Sequence, residues 1–255
     1  MRLARFCVPG ALLMIASLVI AGCSSGVSGR VTVAAAADLR YALDEIVELE
    51  RAENPEVEYA VTYGSSGQFL QQIENGAPFD LYLSADVAYP QQLVDSGRAS
   101  DPFPYAIGRL VLWVPERSDL DPDDGLAILT EAARIAIANP EHAPYGRAAV
   151  SAMESAGVYD AVESRLVLGE NVAQAAEFVM TGNADAGIVA LSLVLSDPLR
   201  NVGSWSEIPT DTFPTIEQGG VLLSDSPEAR ALRDAINGPD GRAILARYGF
   251  TLPED

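Results

Sequence analysis

Val57-Glu-Tyr-Ala-Val-Thr-Tyr63, then Gly64-Ser65-Ser66-Gly67, then Gln68-Phe-Leu-Gln-Gln-Ile-Glu74 is the stretch whose reading decides the fold. Residues 57–63 have the β-branched and aromatic content of a strand, and residues 68–74 form a short helix that Asn75-Gly76 terminates. A strand, a tight Gly/Ser turn and a helix make one βα unit, and the unit recurs on both sides. Upstream, residues 30–36 are an Ala-rich buried strand. Leu39, Ala42, Leu43, Ile46 and Val47 follow at helical spacing, with Asp38 placed as N-cap. Downstream, residues 79–83 are a third strand, and Asp86 caps a short helix over 87–94 that Gly97 stops. Strands alternating with helices at this rhythm predict a parallel, doubly wound α/β sheet.

Asp101-Pro102-Phe103-Pro104 breaks that rhythm. It restarts with strands at 109–114, 134–138, 166–168 and 186–189, and with helices at 147–156 and 172–180. A strand at 219–223 and helices at 227–237 and 242–248 close the chain. Two βαβ blocks imply two lobes, each a mostly parallel sheet flanked by helices. The expected division is 30–106 and 218–255 for one lobe and 107–217 for the other, with two crossovers near 105–108 and 216–220.

The N-terminal segment has a different character. Arg2 and Arg5 form a basic region, and residues 10–21 are an apolar run too short for a comfortable membrane span. It ends in Ile20-Ala21-Gly22-Cys23, the pattern of a bacterial lipoprotein processing site, so residues 1–22 are expected to be a signal peptide and Cys23 to carry lipid. Residues 23–29 are then a flexible tether. Cys7 is lost with the signal, and a chain left with one modified Cys has no disulfide, no Cys–metal site and no Cys nucleophile.

About 230 residues remain, with the composition of a globular protein. The formal charge is −20, and removing Arg2 and Arg5 makes it −22. Every basic residue is Arg. Nucleic-acid binding is excluded as a reading, because it needs a basic patch to release phosphate counterions.

Four turns between strand and helix suggest what the fold is for. They are Ala37-Asp38-Leu39, Gly64-Ser65-Ser66-Gly67, Asn139-Pro140-Glu141-His142-Ala143-Pro144-Tyr145-Gly146 and Gly169-Glu170-Asn171-Val172. A helix start exposes unpaired N–H groups and the positive end of the dipole, so each turn is a potential anion seat. Several converging on one cleft hold an oxyanion without any charged side chain, against an unfavourable overall field.

In this order the motifs resemble the molybdate-binding proteins of bacterial ABC transporters. The resemblance runs through Ala34-Ala-Ala-Ala-Asp38-Leu39, Gly64-Ser-Ser-Gly-Gln68, Pro78-Phe-Asp-Leu-Tyr-Leu-Ser-Ala-Asp86 and Asn139-Pro-Glu-His-Ala-Pro-Tyr-Gly146. It continues through Gly169-Glu-Asn-Val-Ala-Gln-Ala175 and Gly187-Ile-Val189 to the last helix and tail at 238–250. It implies a type II periplasmic-binding-protein fold closing on molybdate, and also tungstate, through neutral donors at helix starts. Carried over by position, the oxyanion ligands are Asp38, Ser66, Tyr145 and Val172, and Asp38 stands where the family often has Ser. Ala190 stands where some members place a Tyr, which leaves the Tyr145 phenol as a replacement donor. The resemblance further implies ABC permease and ATPase partners, a monomer held outside the cytoplasm by its lipid, and no cofactor.

Two alternatives stand beside this reading: a binding protein for another oxyanion such as phosphate or sulfate, and a surface hydrolase using Ser66. Asp38 either turns back to cap its own helix or accepts a hydrogen bond from a protonated oxyanion, which would shift preference from molybdate toward phosphate. A surface hydrolase using Ser66 needs a base, and the chain's single His is His142. No His/Asp/Glu spacing suggests a metal site, and Tyr41, Tyr63, Tyr82 and Tyr145 read as half-buried packing residues rather than iron ligands.

Overall fold

The computed structural model describes residues 29–253; the signal-peptide and Cys23 expectations lie outside the described residues. The first lobe opens with β1 (Gly29–Ala36), α1 (Arg40–Glu53), β2 (Val57–Gly64) and α2 (Ser66–Glu74). It continues with β3 (Leu81–Ser84), α3 (Ala88–Asp95) and β4 (Ser100–Gly108). The second lobe contains β5 (Leu110–Pro115), β6 (Ile135–Ala138), α4 (Pro144–Ser155), α5 (Tyr159–Val162) and β7 (Leu166–Gly169). It ends with α6 (Val172–Met180), β8 (Ala186–Ala190), α7 (Leu191–Val194) and β9 (Gly203–Glu207). The chain then returns to the first lobe as β10 (Ile216–Leu222), α8 (Pro227–Asn237) and α9 (Pro239–Arg247).

Each lobe is built on a five-stranded mixed sheet, in the order β2-β1-β3-β10-β4 and β7-β6-β8-β5-β9. In the first, β1 pairs in parallel with β2 and β3, while β10 runs antiparallel to both β3 and β4. In the second, β6 pairs in parallel with β7 and β8, while β5 runs antiparallel to β8 and β9. In both sheets only the fourth strand in the order is reversed, so the mostly parallel reading holds.

Alternation along β1 explains the layers. Val31, Val33 and Ala35 face a core made with Ala42, Leu43, Ile46 and Val47 of α1 and with α8 and α9. Ala34 faces the opposite core, with Phe69, Leu70 and Ile73 of α2. A strand covered on both faces must be apolar where it is buried, as this one is from Val33 to Ala36, with Arg30 and Thr32 confined to its less covered start.

Two of the four edge strands, β4 and β9, escaped the sequence pattern. β4 carries Pro102 and Pro104, which read as a break, yet an edge strand has one unpaired side and tolerates proline. β9, Gly-Ser-Trp-Ser-Glu, is too polar to register as a buried strand.

The hinge follows from one pairing: Ile216 of β10 sits opposite Gly108 of β4. The two segments that cross between the sheets, at 109 and at 208–215, therefore leave the first lobe side by side. Both βα cleft faces then meet across that hinge, and Ala36, Ala37 and Ala85 pack into the core cluster of the second lobe.

Candidate functional site

Three helix starts converge between the lobes. A cavity of about 10 Å³, close to the size of one water, is lined by Gly64, Ser65, Ser66 and Ala85 of the first lobe. Ala143, Pro144, Tyr145, Asn171 and Val172 of the second complete it. None of these nine residues carries a charge. Seating a tetrahedral ion there requires the two walls to separate, which the hinge permits.

Local sequence leaves these helix ends open. Ser65 is the N-cap of α2 but makes no capping bond; its hydroxyl donates instead to the His142 carbonyl across the cleft, at 2.7 Å. Ala143, the N-cap of α4, has no side chain to give, and Pro144 opens that helix. On α6, Asn171 Oδ1 takes the N–H groups of Ala173 and Gln174. Val172, the first residue of that helix, keeps an N–H without an intrahelical acceptor. The Ser66 hydroxyl is oriented by its neighbour: Ala85 N–H donates to Ser66 Oγ at 3.0 Å. Tyr82 holds the Ser66 carbonyl at 2.7 Å. With Oγ already accepting, its proton is what remains for an acceptor in the cavity.

Ser66, Tyr145 and Val172 thus come together as expected, and Asp38 does not join them. Asp38 lies in a 3-10 turn, Ala37–Leu39, and makes no capping bond to α1, whose N-cap is Leu39. The N-cap expectation is corrected: the side chain is taken by a distant partner. Gln218 Nε2 of β10 donates to Asp38 Oδ2 at 2.5 Å, and Ser192 Oγ of the second lobe donates to the Asp38 carbonyl at 2.7 Å. The same Gln218 amide lies 3.3 Å from the Tyr145 hydroxyl.

Burial pushes the Asp38 carboxyl up to about 6, opposed by the Gln218 hydrogen bond and by the Tyr145 phenol. Burial and the Asp38 charge in turn push the Tyr145 phenol well above its ordinary value. That phenol is therefore engaged at the hinge, where Gly108 has no room for a Cβ: it would meet Tyr145 Oη at 2.2 Å. Tyr145 reaches the cavity from the first turn of α4, which sequence reasoning had placed in a loop.

His142 is a cross-lobe contact. Its carbonyl accepts from both Ser65 Oγ and the Gly67 N–H, the latter at 2.9 Å. Its Nδ1 lies 2.8 Å from Ser65 Oγ. The one Ser65 proton is committed to the carbonyl, so Nδ1 carries the proton and donates. A Ser66–His pair does not form. Among the described residues no group of three or more His, Cys, Asp or Glu side chains is arranged to hold a metal. Gln218 went unnoticed in the sequence; the only signal was a polar residue before Gly219-Gly220 in an apolar strand.

This architecture agrees with the comparisons to known proteins. The family described as bacterial extracellular solute-binding protein matches residues 31–251. The molybdate-binding protein ModA of Rhodobacter capsulatus is 41% identical over 199 residues, covering 75% of this chain and 77% of that protein. The putative ABC transporter substrate-binding lipoprotein YvgL of Bacillus subtilis is 30% identical over 248 residues, covering 92% and 94%. The solved structure of the Azotobacter vinelandii periplasmic molybdate-binding protein superposes with a TM-score of 0.78 at 30% identity. That superposition covers 88% of this chain and all of the other. The chain is a member of the bacterial extracellular solute-binding protein family and groups within it with the ModA proteins.

Proposed function

We propose that this protein captures molybdate, and tungstate with it, outside the cytoplasm and delivers it to an ABC importer. The observation that carries the reading is the uncharged cavity where the N-termini of α2, α4 and α6 meet from opposing lobes. In a chain of formal charge −20, an anion is held only where local dipoles outweigh the overall field. Helix starts inside a water-poor cleft supply that. Backbone N–H groups, with the Ser66 hydroxyl, are the proposed ligands, and Asp38 is reassigned from ligand to hinge residue.

That reassignment favours an unprotonated dianion. A protonated phosphate gains from a carboxylate acceptor in its site, and Asp38 does not line this one. Closure of the lobes completes the donor set, and the closed monomer docks on the membrane permease while the ATPase drives release. The chemistry is binding without turnover and requires no cofactor. We further assign Cys23 as the lipid anchor. Mass spectrometry of the membrane-extracted protein is expected to find the lipid on that residue, and Cys23→Ala to appear in the soluble fraction.

Calorimetric titration with molybdate, tungstate, sulfate and phosphate tests the binding reading. Submicromolar heat with the first two and silence with phosphate is the expected result. Ser66→Ala is expected to lose about 10- to 100-fold in affinity, the value of one hydrogen bond to a charged ligand. Indifference to molybdate and tungstate removes the proposal.

A further inference from the structure

Arg147 stands where helix electrostatics disfavour it. It is the fourth residue of α4, in the turn where the dipole favours acids. It is also the only charged residue in the first turns of α2, α4 and α6. Its partners are all in the first lobe. One guanidinium nitrogen, Nη2, lies 2.6 Å from Asp86 Oδ2, and Nη1 donates to the Tyr89 hydroxyl at 2.9 Å. The group also sits over the Tyr89 ring, 5.6 Å from its centroid.

These contacts lie beside the anion cavity, in a neighbouring groove that shares part of its lining. A groove of about 360 Å³ is lined by Asp86, Arg147, Ala85 and Pro144, among others, and Ala85 and Pro144 also line the cavity itself. Because Asp86 and Arg147 belong to different lobes, opening the cleft separates them. It uncovers a cation beside an otherwise neutral set of donors.

The geometry points to Arg147 as an exchange latch for the ligand. In the open cleft it draws the dianion in. On closure it gives the dianion up for Asp86 and Tyr89, leaving the ligand to the neutral donors. This rests on the oxyanion reading above and adds to it a residue that sets both capture and retention. The attraction acts over about a Debye length, ~8 Å at physiological ionic strength, so it is a salt-dependent rate effect. The closed contact is a forked, stacked one that Arg makes and Lys does not.

Stopped-flow binding of molybdate at low and high ionic strength tests this, with melting of the ligand-free protein as the folding control. Arg147→Ala is expected to bind roughly tenfold more slowly at low salt, to lose the fall of the on-rate with rising salt, and to release ligand several-fold faster. Arg147→Lys is expected to keep the salt-dependent on-rate and show only the faster release. Asp86→Asn, which leaves the cation in place, is expected to speed release without slowing capture. An Arg147→Ala protein with wild-type on- and off-rates at both ionic strengths overturns the latch while leaving the oxyanion reading intact. A wild-type protein that ignores molybdate overturns that reading first.

Discussion

Gly67→Ala is expected to weaken molybdate binding by at least about 100-fold while leaving the ligand-free protein folded. Gly67 is the second residue of α2, and its φ is not positive, so alanine fits the helix and by propensity stabilises it. The conflict lies across the cleft. A Cβ there would stand 2.6 Å from the His142 carbonyl oxygen and 3.1 Å from the His142 Cα. Both are backbone atoms in the loop that leads into α4, so neither can swing aside as the tip of a side chain would. The same carbonyl also anchors closure, by accepting from Gly67 N–H and Ser65 Oγ. Stretching two such bonds costs about 1 kcal/mol each, and overpacking adds roughly 1–3 kcal/mol. The sum, about 3–5 kcal/mol, falls on the closed state alone and converts to a loss beyond 100-fold. Calorimetry gives the affinity, and melting without ligand gives the control. Wild-type affinity in this variant would mean that α2 and the His142 loop do not meet when the ligand is held.

What the sequence made legible, and what it hid, divides by the range of the interactions. The positions of Ser66 and Val172 at helix starts are legible because a helix start is encoded locally, in the Gly, Ser and Asn residues that precede it. Tyr145 was found in the right turn, but α4 was begun three residues late, because Pro144-Tyr145-Gly146 is a poor helical sequence that Pro at the first position makes acceptable. Asp38 was misread because its side chain answers to residues no local pattern contains. Gln218 lies 180 positions away and Ser192 lies 154. A short polar residue before a helix usually caps it; here the buried hinge outcompetes the cap. The edge strands β4 and β9 were missed for a related reason. A strand with one neighbour needs neither a continuous apolar run nor the absence of proline.

Asp38→Asn is expected to raise the melting temperature at neutral pH by about 6–12 °C and to flatten its fall with pH. The carboxyl is steadied by neutral groups alone, Gln218 Nε2 first and then the Tyr145 phenol and nearby backbone N–H groups, while Asp38 Oδ1 and Gln218 Oε1 have no close hydrogen-bond partner. The ionisable groups acting on it are the phenols of Tyr145 on α4 and Tyr105 on β4, both pushed well above their ordinary values by burial and by Asp38 itself. No cation is paired with it among the described residues. Burial raises the folded-state value to about 6 from 3.8, so the native protein binds this proton more tightly than the unfolded chain does. Stability is therefore complete below about pH 4, declines as pH rises through the window between 3.8 and about 6, and stays reduced above it. A shift of that size corresponds to about 3 kcal/mol, and each kcal/mol moves the melting temperature of a chain this long by roughly 2–4 °C. Asparagine keeps the shape and the acceptor for Gln218 Nε2, carries no charge at any pH, and offers an N–H₂ to the unpaired Gln218 Oε1. Melting curves of both proteins from pH 4 to pH 8 decide the matter. They are expected to converge at the acid end and separate above about pH 6, and parallel curves across the range would show that the Asp38 carboxylate is not the buried charge that burdens the hinge.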